Sequence, residues 1–455
     1  MRRVLTRVLS SRRGLWFCVF VPLALLYLAT LRVSPLDMSA DPAAVTPSAW
    51  QLAHHGTPRI PSSVEPFAYH NDWLIPSGTD SVVSNREPGL VLVALPFQLI
   101  FYGAGIGSVW PAGIAAALVS AAAMATVALV ARRFVSALAA AGAGLIGGLA
   151  TTTWAISGTA LWPHGPDQLF LAIALATAAS GTFAWTGLAY ACAILVRPHL
   201  AIVGAVVGVW QSWCRRAWWP AVLIGAVSAC GLAVLLWYSH RYWQGGLDSQ
   251  YVATGGSFIH NFFDLHPAAL GKFALNILGT LGSPGRGVLF GAPFLIVLLP
   301  GLRAAWYVAP PWVRSAAVGG VLYLLVQLKA NRFSGGDRFW SYRYPLETLT
   351  LMAPLFILAW RDYVRPSRHR AARFSALVVL STALQAIGAL CFRGPYTGKS
   401  WLPADLIAAL TQSRGWLGCV ILVAGFFSAG LVFGRITVRG ELAEGNDDHP
   451  ESSPR

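Results

Sequence analysis

The chain has 455 residues, 56% of them hydrophobic and 11% charged, a share of charge about half that of a soluble domain. Apolar runs of 17 to 22 residues recur along it, which excludes a soluble globular enzyme and indicates an all-α polytopic membrane protein. The formal net charge of +15 does not point to nucleic acid, because the basic residues stand in short clusters between apolar runs, where they set membrane orientation. The six cysteines (18, 192, 214, 230, 391 and 419) lie in or beside apolar runs, so neither a disulfide framework nor a zinc site is indicated.

In chain order, five arginines within the first 13 residues precede the run Gly14–Leu31, which reads as an uncleaved first span. Further positive clusters fall at Arg132-Arg133, Arg215-Arg216, Arg303–Arg314, Arg361–Arg373 and Arg435–Arg439. With all of them cytoplasmic, an even number of crossings separates each neighbouring pair. The pairs are 14–32 with 109–131, 135–155 with 168–214, 217–238 with 285–303, 314–331 with 345–360, and 373–392 with 416–434. Segment 168–214 has to cross an odd number of times, and three crossings there require short helices broken near Arg197-Pro198. The apolar stretch 89–106, interrupted by Pro96, is expected in the interface or re-entering rather than crossing. The expectation is about twelve transmembrane helices in one domain, 1–434, in the plasma membrane. Both termini are cytoplasmic, and 435–455 is a polar cytoplasmic tail.

The external segments are then 33–108, 156–167, the neighbourhood of 197–199, 239–284, 332–344 and 393–415. The spans 109–131 and 135–155 contain no charged residue between their ends, whereas ion-coupled transporters keep ionisable groups near mid-membrane. Within the first long external loop, "SADPAAVTPSAWQLAHHGT" predicts a surface amphipathic helix over 42–55. Asp41 is its N-cap, Pro42 its first helical position, Gly56 its stop, and Val45, Ala49, Leu52 and Ala53 its apolar face. Loop 33–108 carries six carboxylates, Asp37, Asp41, Glu65, Asp72, Asp80 and Glu87, against two arginines.

A second external loop, "SGTALWPHGPDQLF", places His164 and Asp167 ahead of the next span. External arginines face these acids: Arg197 in "LVRPHL", Arg286 in "GSPGRGVLFGAP", and Arg338 and Arg343 in "GGDRFWSYRYPLE". Carboxylates on early loops and guanidinium groups on later ones suit one reaction class. A base takes a proton from an acceptor hydroxyl while cations neutralise a departing phosphate, which guanidinium binds bidentately. Taken singly, each residue also has a structural reading: a helix cap for Asp41 and Asp167, a plain turn for "SPGRG".

The order of these stretches resembles the GT-C superfamily of membrane glycosyltransferases, which use polyprenyl-phosphate-linked sugars. "DPAAVTPSAWQLAHHGT" is similar to the family's acidic residue and surface helix after span one, and "WPHGPDQLF" to its second acidic loop. "GLAYACAILVRPHLAIV" resembles the family's "GLA…TRP" stretch, and "SPGRGVLFGAPFLIVLLPGL" and "GGDRFWSYRYPLETLTLMAPL" resemble the late-loop patterns of bacterial, especially actinobacterial, members. The likeness runs loosely over residues 14 to about 360.

The resemblance implies a GT-C-like fold and an Asp general base, Asp41 or, because many relatives carry two adjacent acids here, Asp37. It implies that His164 and Asp167 position the acceptor or hold a divalent metal, and that Arg197, Arg286, Arg343 and Arg338 bind the donor phosphate. The implied partners are a polyprenyl-phosphate sugar donor, a cell-envelope glycan, lipid or protein acceptor, and membrane lipids. A flippase of lipid-linked sugars and a non-catalytic envelope-assembly protein are the alternatives.

Overall fold

A computed structural model describes residues 9, 11–35, 39–64, 73–244, 246–248, 258–335 and 339–392, with 420 and 424 isolated beyond them. Asp37, Glu65, Asp72, Arg338, most of the expected span 416–434 and the tail 435–455 lie outside the described residues.

The bundle begins with α1 (Arg12–Ala29), whose Leu15, Val19, Leu23 and Tyr27 recur every fourth residue and are buried. This stripe packs on α4 (Trp110–Ala131) and α5 (Ala137–Leu149). Small residues permit the close approach. A Cβ on Gly144 would meet the backbone oxygen of Met124 at 2.7 Å, and one on Gly148 would meet Leu23 at 2.7 Å.

Segment 168–214 folds as three short helices, α6 (His164–Ala179), α7 (Phe183–Val196) and α8 (Ala201–Arg215), turning at Gly181 and at Arg197-Pro198. α9 (Trp219–Tyr242), the short α10 (Phe258–Phe263) and α11 (Pro267–Gly282) follow. The expected span 285–303 is not one helix. Gly291, Pro293, Pro300 and Gly301 divide it into α12 (Val288–Gly291), α13 (Leu295–Leu298) and α14 (Leu302–Val308). α15 (Pro311–Ala330), α16 (Leu346–Ala359) and α17 (Arg368–Leu390) complete the described bundle.

Among the described residues, five helices are long and apolar enough to cross a membrane: α1, α4, α9, α15 and α17. Shorter apolar helices accompany them, giving a mostly helical multi-pass bundle of long and short helices.

The first long loop corrects the all-α expectation. It holds a three-stranded antiparallel sheet, β1 (Ile60–Pro61), β2 (Leu74–Pro76) and β3 (Ser81–Ser84), in the order β1-β3-β2. Ile60 pairs with Val82 and Ile75 with Val83, and the chain reverses through Gly78 at φ +108°. Strands of two to four residues are too short to show alternation in sequence.

α2 (Ala40–His55) exists and stops at Gly56 in the left-handed region, φ +68°. Two details differ from expectation. Ser39, not Asp41, occupies the N-cap position, and Asp41 lies in the first turn. Residues 41–49 are all buried, so the first half of α2 is enclosed, while Leu52, Ala53 and His54 are half-buried and His55 is exposed. Ala43, Val45 and Ala49 are small or slim enough for α3 (Pro88–Ile100), Val109, Leu161 and Trp162 to close around it. α3 has 13 residues, a rise of about 20 Å against an apolar bilayer core of about 30 Å, so it does not cross by itself.

Candidate active site

α2 delivers Asp41 to a buried contact with the loop between α15 and α16. Asp41 is 5% exposed. Its Oδ2 accepts a hydrogen bond from Arg343 Nη1 at 2.7 Å, and its Oδ1 lies 3.4 Å from Arg86 Nη2. Burial alone pushes this carboxyl up. The guanidinium groups of Arg86 and Arg343 outweigh it and hold the group down at about 2, below its ordinary value of 3.8.

Arg343 is held between rings: its guanidinium carbon is 4.9 Å from the Trp162 centroid, 5.0 Å from Phe339 and 5.1 Å from Tyr344. The loop is shaped by Ser341, which adopts φ +58°, and by Gly335 at φ +68°. Arg286 braces it. Arg286 Nη1 donates to the carbonyls of Phe339 at 2.7 Å and Ser341 at 3.0 Å, and its guanidinium stacks over Phe339 at 4.0 Å. The side chain expected on the donor phosphate therefore supports the loop that aims Arg343.

Beside this pair lies a second, fully enclosed cluster. Pro198 forces Arg197 out of the helix at the end of α7, to φ −149°, which turns its side chain into the bundle. Arg197 Nη1 donates to the Tyr323 hydroxyl at 3.0 Å, Nε lies 3.4 Å from Asp167 Oδ2, and Nη1 lies 3.7 Å from Glu347 Oε1. His164 Nδ1 is 2.7 Å from Glu347 Oε1, and its Nε2 is 3.2 Å from Arg197 Nη2.

Guanidinium only donates, so Nε2 accepts and the proton rests on Nδ1, given to Glu347. His164 is thus held as one neutral tautomer. His199 stacks on Tyr323 with the rings 5.0 Å apart and 6° from parallel. Asp167 and Glu347 also share a hydrogen bond within the cluster, and both are fully buried.

Trp162 joins the two halves, lying under Arg343 and 6.4 Å from His164. Arg197 also acts electrostatically on both Asp41 and Arg343. Of the residues singled out in sequence, Asp41, His164, Asp167, Arg197 and Arg343 come together, with Arg286 behind them; Asp37 and Arg338 lie outside the described residues.

Sequence reasoning passed over Glu347, Tyr323, Arg86 and His199. Glu347 left a signal, being the acid inside the otherwise apolar "PLETLTLMAPL". Tyr323 and Arg86 left none. Among the described residues, no three His, Cys, Asp or Glu side chains gather in a way that would hold a metal ion.

No protein-family model and no curated protein matches the sequence. Solved structures do match. The oligosaccharyltransferase of Archaeoglobus fulgidus in its apo form aligns over 84% of this chain and 56% of its own, at 12% identity and a TM-score of 0.52. ArnT from Cupriavidus metallidurans in the apo state aligns over 94% and 78%, at 18% identity and a TM-score of 0.48. Archaeal AglB from A. fulgidus, in complex with an inhibitory peptide and a dolichol-phosphate, aligns over 89% and 58%, at 11% identity and a TM-score of 0.48. The chain spans little more than half the length of the archaeal oligosaccharyltransferase, whose fold it shares.

Proposed function

We propose that this protein transfers one sugar from a polyprenyl phosphate to an acceptor outside the cytoplasmic membrane, with Asp41 as the general base. The observation that supports the reading is the buried contact of 2.7 Å between Asp41 Oδ2 and Arg343 Nη1, a carboxylate beside a guanidinium, the group best suited to bind a phosphate.

Asp41 accepts the proton of an acceptor hydroxyl as that oxygen attacks the anomeric carbon from the face opposite the phosphate. The bond between that carbon and the phosphate oxygen breaks, and the phosphate keeps the electron pair. Arg343 and Arg197 bind the negative charge that develops there, while Arg286 keeps the Arg343 loop in place. His164, held as a single tautomer, and the buried acids Asp167 and Glu347 fix Arg197 in place for that task.

The pairing also orders the steps. While Arg86 and Arg343 hold it, Asp41 is too weak a base for the task. A donor phosphate that draws Arg343 to itself leaves only Arg86 on the carboxylate, which loosens that hold and raises the basicity of Asp41. The donor thereby arms the base.

The test is to incubate purified protein with a panel of polyprenyl-phosphate sugars and follow donor consumption by mass spectrometry. Wild type consumes one donor class, and Asp41→Asn binds that donor without consuming it. Undiminished transfer by Asp41→Asn would overturn the assignment. Lipid translocation that is indifferent to Asp41→Asn, with no donor consumed, would establish a flippase instead.

A further inference from the structure

A cavity of about 910 Å³ lies between α4, α5, α16 and α17, and neither Asp41 nor Arg343 lines it. Met124, Val135, Ile146, Phe356, Phe374 and Val378 are among its walls, and Gly142, Ala143 and Gly147 of α5 leave the space open. Its inner end meets Thr151, Gln168 and Thr350. There Gln168 Nε2 donates to Thr153 Oγ1 at 3.0 Å and to Thr350 Oγ1 at 3.2 Å, tying α6 to α16 just below the charged cluster. The other end meets Arg361, Arg365 and Arg368, where α16 passes into α17. Eleven residues of α16 and the turn after it separate Thr350 from Arg361, about 16 Å at helical rise, so the cavity is long as well as apolar.

The charges are unequally divided between the two ends. Residues 361–373 carry five arginines, 361, 365, 368, 370 and 373, against the single acid Asp362, which Arg361 already grips at 2.6 and 2.8 Å. Arg365 and Arg368 are exposed at the rim. An apolar slot between helices with guanidinium groups at its mouth matches a molecule with a hydrocarbon chain and an anionic head at membrane-surface depth.

We infer that this cavity is a binding site for an anionic glycerophospholipid, an acyl chain lying in the slot and the headgroup phosphate on Arg365 and Arg368. The occupant is distinct from the sugar donor. The proposed donor phosphate belongs with Arg343 and Arg197, which do not line this cavity, whereas the arginines that do line it stand at the end away from Gln168. The inference does not depend on the transferase reading.

The experiment is native mass spectrometry of the full chain titrated with phosphatidylglycerol or with phosphatidylcholine of the same acyl chains. Wild type should retain one phosphatidylglycerol per chain, at about tenfold lower concentration than phosphatidylcholine. Arg365→Gln combined with Arg368→Gln should erase that preference. Ala143→Phe, which fills the slot, should weaken retention of both lipids. A phosphatidylglycerol carrying a photoreactive group on its acyl chain provides a readout independent of these variants, and it should label α5 and α17 of the wild type.

Equal retention of the two lipids by wild type, or labelling confined to other helices, would overturn the inference. Loss of the label to polyprenyl phosphate but not to unlabelled phosphatidylglycerol would also overturn it, and would give the cavity to the donor. Failure of the transferase assay leaves all these readouts unchanged, so the two ideas fail separately.

Discussion

Asp41 and Arg343 are 302 positions apart in sequence, yet Oδ2 and Nη1 meet at 2.7 Å with both side chains largely buried. The pair ties the first turn of α2 to the loop before α16, and neither element holds its charge in place alone. α2 needs a cation to bury an acid, and the loop needs an anion to bury a guanidinium.

The pair makes stability depend on pH in a definite direction. Asp41 is held at about 2 in the folded protein against an ordinary value of 3.8. Its contribution is therefore complete above about 4 and is lost as pH falls toward 2. The shift is worth about 2 kcal/mol at neutral pH. Thermal unfolding of wild type and Asp41→Asn should differ at pH 7, and the gap should narrow below about pH 4. A gap that stays constant across that range would show that the pairing does not act through ionisation.

Glu347 acts through His164. Glu347→Gln removes the charge that fixes the imidazole tautomer and leaves Arg197 with one buried partner fewer. Loss of one member of such a network costs about 3 kcal/mol of stability. Because the two residues form one unit, Glu347→Gln with His164→Ala should be little worse in transfer rate than either change alone. Losses that multiply would show independent roles. The pH dependence of kcat should also move in Glu347→Gln, which a purely structural residue would not cause.

Gly335 offers a way to move Arg343 without altering any charge. Its φ of +68° disfavours a side chain, and a Cβ there would lie 2.9 Å from Arg343 Nε. Gly335→Ala should therefore lower transfer about tenfold or more while leaving overall stability within about 2 kcal/mol of wild type. The comparison of transfer rate with unfolding temperature checks it, and unchanged transfer would sink the idea that Arg343 must be aimed.

Gly144 separates packing from chemistry. A methyl at this position meets the carbonyl oxygen of Met124 at 2.7 Å and the side chains of Ala128 and Val19 at 3.0 Å. Backbone in α4 cannot step aside cheaply, so Gly144→Ala should cost about 1–3 kcal/mol. A lowered unfolding temperature in detergent, with unaltered KM for donor, is the expected result.

Several features were legible in residue order because they depend on local chemistry. Hydropathy and run length marked a multi-pass helical protein, and α4 follows the apolar run at 109–131 nearly to the residue. Pro198 after Arg197 announced the break between α7 and α8, and Gly56 the end of α2, since each restricts its own backbone. Charge type placed Asp41, His164, Asp167, Arg197 and Arg343 among the candidates, and they do gather.

Other features depend on what is packed against them, and these only the tertiary structure decided. α2 looked amphipathic, yet helices and loops from distant sequence enclose its first half and convert its acid from a helix cap into half of an ion pair. Arg286 and Arg343 have the same chemistry in sequence, and burial against the 339–341 carbonyls makes one a brace and leaves the other facing Asp41. Tyr323 and Arg86 carry no sequence mark, because a hydrogen-bond partner supplied from more than 40 residues away follows from chain topology rather than from any local preference.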